Sequence, residues 1–169
     1  MMSQATSAML TELREEAVTT KRVLERVPSE KLSWRPHAKS MSLGQLALHV
    51  ATIPGNLTKL TQLDEFDASQ ANFNPPQPKD LSEIQTALEQ SVHSAEEYLG
   101  TMEETFASAS WRLTMRGKEL FRKPRIAVLR SIMLNHWYHH RGQLSVYLRL
   151  LDVPVPVIYG RSADENPFG

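Results

Sequence analysis

Apolar residues recur at helical spacing in four long stretches of the chain. The first, residues 6–27, places Leu10, Leu13, Ala17, Thr20, Leu24 and Val27 on one face. Pro28 ends it, because proline cannot supply the interior hydrogen bond. The second, residues 42–63, opens on Ser42 with Gln45 three positions on, a capping-box pattern, and repeats Leu43, Leu46, Val50, Ile53, Leu57 and Leu60. Pro54 sits inside this repeat. It has no N–H for the Val50 carbonyl, so a kink and an oxygen in need of a partner are expected. The third stretch, residues 80–106, starts at the capping residue Asp80 and carries Leu81, Ile84, Leu88, Val92, Ala95, Leu99, Met102 and Phe106. The fourth, residues 124–152, begins with Pro124 in its first turn, where proline is tolerated. Its seam is Ile126, Leu129, Met133, His136, His140, Leu144, Tyr147 and Leu151, in steps of three or four.

The intervening segments read differently. Asp64–Lys79 has Pro75, Pro76 and Pro78 and no period. Extended, it reaches roughly 50 Å, more than the ~30 Å of a 20-residue helix, so it can return the chain along its neighbours. Trp111, Leu113 and Met115 alternate with Arg112, Thr114 and Arg116, and Gly117-Lys118 can turn, which predicts a small hairpin. The fold class is therefore all-α: a four-helix bundle with a long crossover between helices two and three, in up-down-down-up order, with a small β-hairpin before helix four. One domain is expected over residues 1–169.

The fourth seam is where composition changes the picture. His136 and His140 are four apart, on one helical face, at positions where a packed helix wants Leu or Ile. Buried imidazoles need partners. Backbone carbonyls or carboxylates would serve, and so would a metal ion shared by both. At ~100° per residue, His139 falls about 100° from the centre of this seam, so only His136 and His140 can face one interior point. The segment is not a zinc-protease helix, because Trp137 stands where that motif has its glutamate base. His49 lies at the edge of the second stripe and can face inward. His37, beside Pro36, and His93, among polar neighbours, read as solvated.

The 169 residues, 41% hydrophobic and 22% charged, suit a globular protein with a proper core. Cysteine is absent, which removes disulfides, a thiol nucleophile and thiolate metal ligands. The first residues have no apolar core of signal-peptide length and no run approaches membrane-spanning length, so a cytoplasmic location without membrane contact is expected. Net charge is zero, with acidic residues gathered between Asp80 and Glu104 and basic ones between Arg112 and Arg130. These read as solvated faces attracting one another rather than as a nucleic-acid surface.

Trp34-Arg35-Pro36, Ser42 through His49, His136 through Gln143, and the tail Val155 through Glu165 together resemble the DinB/YfiT superfamily of four-helix bundles. The resemblance covers nearly the whole chain, and its histidine segment is the more specific part. It implies one histidine from the second helix and an H-x-x-x-H pair from the fourth, here His49, His136 and His140, holding a divalent metal ion, zinc or nickel. It implies parallel second and third helices and a homodimer. Members resembling thiol S-transferases use bacillithiol or mycothiol, so a thiol S-transferase-like or hydrolase-like enzyme acting on a small molecule, with a low-molecular-weight thiol as cosubstrate, is expected. The alternative is a non-enzymatic bundle that binds metal or a small ligand in a stress response. No catalytic residue is assigned; Tyr159 and Asp164 in the tail are candidates for a base. A ligand histidine must be neutral, so metal affinity is expected to fall below about pH 6.5.

Overall fold

The computed structural model describes residues 4–72 and 74–168; Phe73, inside the predicted crossover, and the two ends of the predicted domain lie outside them. The chain is mainly helical but not all-α. In order it forms α1 (Gln4–Leu24), α2 (Leu43–Thr61), β1 (Glu65–Asp67), α3 (Leu81–Thr101), α4 (Glu104–Ser108), β2 (Ser110–Met115), β3 (Lys118–Pro124), α5 (Arg125–Val128), a π-helical segment (Leu129–Leu134) and α6 (Asn135–Leu150). α2 packs against α3 and α6, and α1 packs chiefly against α3, with smaller contacts to α6 and α2. Their apolar faces meet in one core that includes Leu13, Leu24, Leu46, Ile53, Ile84, Leu99, Leu129 and Leu144.

The start of α2 follows the predicted capping box: Ser42 accepts from the Gln45 backbone, and the Gln45 side chain accepts from the Ser42 N–H. The helix continues through Pro54 because its neighbours take over the broken hydrogen bonding. The buried Trp137 indole donates to the Val50 carbonyl at 2.8 Å. One residue beyond the proline, the Gly55 N–H donates to Ser91 Oγ of α3 at 2.8 Å. A Cβ at residue 55 would lie 3.0 Å from Ser91 Cα, so any larger residue would press on the α3 backbone. At the other end of α2, the buried Arg125 guanidinium donates to the Thr61 and Leu63 carbonyls, pairs with Asp64, and lies over the Phe106 ring. It caps carbonyls that a helix C-terminus leaves unpaired, where a cation is favoured.

The sheet is one strand larger than the expected hairpin. β1, from the segment predicted to be irregular, pairs in parallel with β2, Phe66 opposite Leu113. β2 and β3 are antiparallel and turn through Arg116 and Gly117, both with positive φ, the conformation that suits a two-residue hairpin. Asp67 accepts from both of those backbone N–H groups. A register shift between Leu113 and Thr114 breaks the predicted alternation. Thr114 is buried in consequence, while Met115 faces outward.

Two helices depart from their predicted course. The third ends at Thr101, because Met102 turns to extended backbone with its side chain in the core; Phe106 lies beyond, on α4. The fourth stretch is helical, but its Leu129–Leu134 section is π-helical, and i→i+5 bonding fits an extra residue into the turn. After it, Trp137, Arg141 and Leu148 are buried one position beyond the expected His136, His140 and Tyr147, while Leu144 keeps its place. His136 and His140 therefore flank the buried face, half-buried, rather than occupying its centre.

The charge runs also pair differently from expectation. Glu96 and Glu89 of α3 pair with Arg14 and Lys21 of α1. The basic run pairs instead with Glu65, Glu119, Asp64 and Glu12, through Arg112, Arg122, Arg125 and Arg130.

Candidate metal centre

His49 comes from the middle of α2, and His136 and His140 come from successive turns of α6. Three features put them together. The i, i+4 spacing brings the two α6 rings together, with centroids 4.5 Å apart and planes tilted by 47°. The π-helical segment rotates them to the edge of the α2–α6 contact. The Trp137–Val50 hydrogen bond, one residue from each histidine concerned, joins the two helices at that level. The His49 ring lies 5.2 Å from His136 and 4.6 Å from His140.

The nitrogen spacing is that of a ring-to-ring hydrogen bond, and it is also compatible with one shared metal ion. His49 Nε2 and His136 Nε2 are 3.2 Å apart, and one nitrogen from each of the three rings falls within a 4.8 Å group. Two nitrogens bound to one tetrahedral zinc at 2.0–2.1 Å stand about 3.3–3.4 Å apart. Half-burial and the charge of neighbouring imidazoles push His49 and His136 down from 6.5 to about 4. Burial lowers His140 as well, opposed by its hydrogen bond to Gln143. All three rings are neutral at pH 7, the state in which imidazole binds a metal. The three-histidine group could thus hold a metal ion.

The other sequence candidates lie elsewhere. His139 is exposed and outside the group of three, although its ring approaches His140 edge-on at 4.9 Å. His37 is exposed and accepts from the Lys39 backbone, and His93 is exposed beside Glu97. Asp164 pairs with Arg149 and accepts from the Val155 N–H. Tyr159 is bonded to Arg141 and Glu16. Both tail residues are occupied in fastening the C-terminal segment to the helices.

Three supporting residues escaped the periodicity. Gln143 Oε1 is 2.7 Å from His140 Nδ1. The Val50 carbonyl was expected to need a partner, but nothing in the sequence named Trp137 as that donor. Arg141 is buried between α1 and the tail, bonded to Glu16, Thr20 and Tyr159, and nothing in its position on an ideal α-helix signals this. Trp34 packs edge-on against Tyr147, about two turns along α6 from His140.

Fold and site together define a mainly helical protein with a small accessory sheet and a three-imidazole group between two of its long helices. Residues 2–166 match the DinB family, and the chain belongs to it. It is 27% identical over 150 residues to YrdA, an uncharacterized protein of Bacillus subtilis, covering 89% of this chain and 85% of that one. Its fold is similar to that of a DinB-like protein from Bacillus cereus, with a TM-score of 0.68, 22% identity, and coverage of 89% of this chain and 95% of the other. A DinB-like protein from Bacillus subtilis, YjoA, also superposes with a TM-score of 0.68, at 19% identity, over 91% of this chain and 99% of its own.

Proposed function

We propose that the protein is a metal-dependent enzyme of thiol S-transferase-like or hydrolase-like type, with one divalent ion, zinc or nickel, held by His49, His136 and His140. The observation that carries this reading is the convergence of three neutral imidazoles, two of whose Nε2 atoms stand 3.2 Å apart. Lone pairs at that distance repel unless a proton or a cation lies between them. Three histidines also leave a coordination position for substrate, as catalytic sites do and closed structural sites do not. A divalent ion there would supply Lewis acidity, lowering the pKa of a thiol or water placed beside it. The chain's own residues bind and orient: the rings present their nitrogens, Trp137 and Gln143 fix the ring-bearing backbone and His140, and the half-buried setting limits water.

The same reading takes the four long helical stretches as a single domain in which α2 and α3 run parallel. Ser42 meets Gln77, Gly55 meets Ser91 and Thr61 meets Tyr98, so the contacts advance together along both segments. A homodimer belongs to it too: Val146 and Leu150 are exposed on α6, and the open space at Gly142 admits a close neighbour. No helix among the described residues is long and apolar enough to cross a membrane, and the zero net charge favours small-molecule over nucleic-acid partners, in the cytoplasm.

The test is turnover. Zinc- or nickel-loaded protein is incubated with a low-molecular-weight thiol and an electrophile, and separately with ester substrates. Metal-dependent thiol consumption or hydrolysis, lost in His49→Ala, is expected. Stoichiometric metal binding without turnover across both panels would replace the enzyme with the binding protein of the alternative reading.

A further inference from the structure

We propose that Gln143 is a positioning residue of this site: its amide oxygen holds His140 in the tautomer that leaves Nε2 available to a metal ion. The inference rests on the three-histidine reading above. Gln143 lies three residues beyond His140 on α6, the spacing that brings side chains together on one helical face. Its Oε1 is 2.7 Å from His140 Nδ1. An amide oxygen only accepts, so Nδ1 carries the hydrogen. A neutral imidazole has a single N–H, and the lone pair is therefore on Nε2.

His49 and His136 face one another through Nε2. Their Nε2 atoms are the ones turned toward the centre of the group. For His140 to present its own Nε2, its Nδ1 must hold the proton, and the ring must not turn about its side-chain bonds. The Gln143 bond meets both requirements. Without it, a half-buried ring on the rim of the group samples both tautomers and other rotations. Loss of such an outer partner weakens metal binding by about 10–100-fold in other histidine sites.

Gln143 is itself exposed, so its replacement leaves the core intact. This separates it from Trp137, whose loss would disturb packing as well as orientation.

The experiment compares wild type, Gln143→Leu and Gln143→Glu in two measurements. Zinc affinity is read by competition with a chromophoric chelator. The His140 tautomer is read in the metal-free protein by long-range proton–nitrogen NMR above pH 7. The expected result is an Nδ1–H tautomer for His140 in wild type. Gln143→Leu should mix the tautomers and bind zinc about 10–100-fold more weakly, with an unchanged melting temperature. Gln143→Glu restores an acceptor and should keep the tautomer and bind at least as tightly as wild type. Unchanged affinity in Gln143→Leu overturns the proposal, as does weakened affinity with the tautomer intact, or a Gln143→Glu variant as weak as Gln143→Leu. Wild-type protein with no zinc affinity overturns the metal reading itself, and this inference with it; the NMR of the metal-free protein still shows which tautomer Gln143 selects.

Discussion

Trp137→Phe tests how α2 survives its internal proline. The Val50 carbonyl has lost its helical donor to Pro54, and the Trp137 indole replaces that donor at 2.8 Å, with both residues 0% exposed. Phenylalanine keeps an aromatic ring but has no N–H. The oxygen is then buried without a partner, at a cost of about 1–3 kcal/mol. The smaller ring adds a packing loss of about 1 kcal/mol, for a total of about 2–4 kcal/mol. Pro54→Ala supplies the missing backbone N–H to the same oxygen. In that background Trp137→Phe should cost only the packing loss. The double-mutant cycle therefore carries a coupling of about 1–3 kcal/mol. The assay is urea unfolding of the four metal-free proteins followed by far-UV circular dichroism. A coupling below about 0.5 kcal/mol, within ordinary additivity, would refute the claim that the indole substitutes for the proline's missing donor.

Other substitutions bear on the packing and the charges. Gly55→Ala should destabilise by about 1–3 kcal/mol, despite alanine's better helix propensity, because the new methyl group meets the Ser91 backbone at 3.0 Å; a neutral or stabilising result in urea melts would show that α2 and α3 can move apart. Arg141→Met leaves the Glu16 carboxylate, whose side chain is 14% exposed, without its cation. The expected loss is about 3 kcal/mol, the lower end for a broken buried pair, with a fall in the melting temperature as the check. For His49 and His136 the folded pKa of about 4 lies below the unfolded 6.5. The unfolded chain binds more protons in that interval, so metal-free stability should fall as pH is lowered from 6.5 toward 4, and flatten in a His49→Ala, His136→Ala double variant. A urea midpoint rising over that window would contradict the shifts.

The helical stripes were legible because burying one face imposes a 3.6-residue period, as Leu46, Val50 and Ile53 do on α2 and Ile84 and Leu88 do on α3. The candidate histidines were legible for a narrower reason. A polar residue repeated at a packed spacing, as at His136 and His140, needs a partner, and the DinB resemblance supplied His49. What periodicity missed had no local signal. β1 is three residues long and exists through pairing with β2, where Glu65 stands opposite Arg112, 47 positions further along the chain. The Leu113/Thr114 bulge depends on the partner strand's register. The π-helical segment has an ordinary helical composition, and only the one-residue displacement of the buried face, to Trp137 and Arg141, reveals it. The partners of Trp137 and Arg125 are carbonyls on α2 and just beyond it, distant in sequence and invisible to any pattern along one helix.

The central claim is that His49, His136 and His140 together bind one metal ion. Its most direct measurement is the zinc content of wild type and of His49→Ala, His136→Ala, His140→Ala and His139→Ala, purified identically and analysed by plasma mass spectrometry. About one ion per chain is expected in wild type and in His139→Ala, and none in the other three. A His139→Ala protein that loses the ion while His140→Ala keeps it, or a wild-type protein that takes up none when zinc is supplied, would contradict the account.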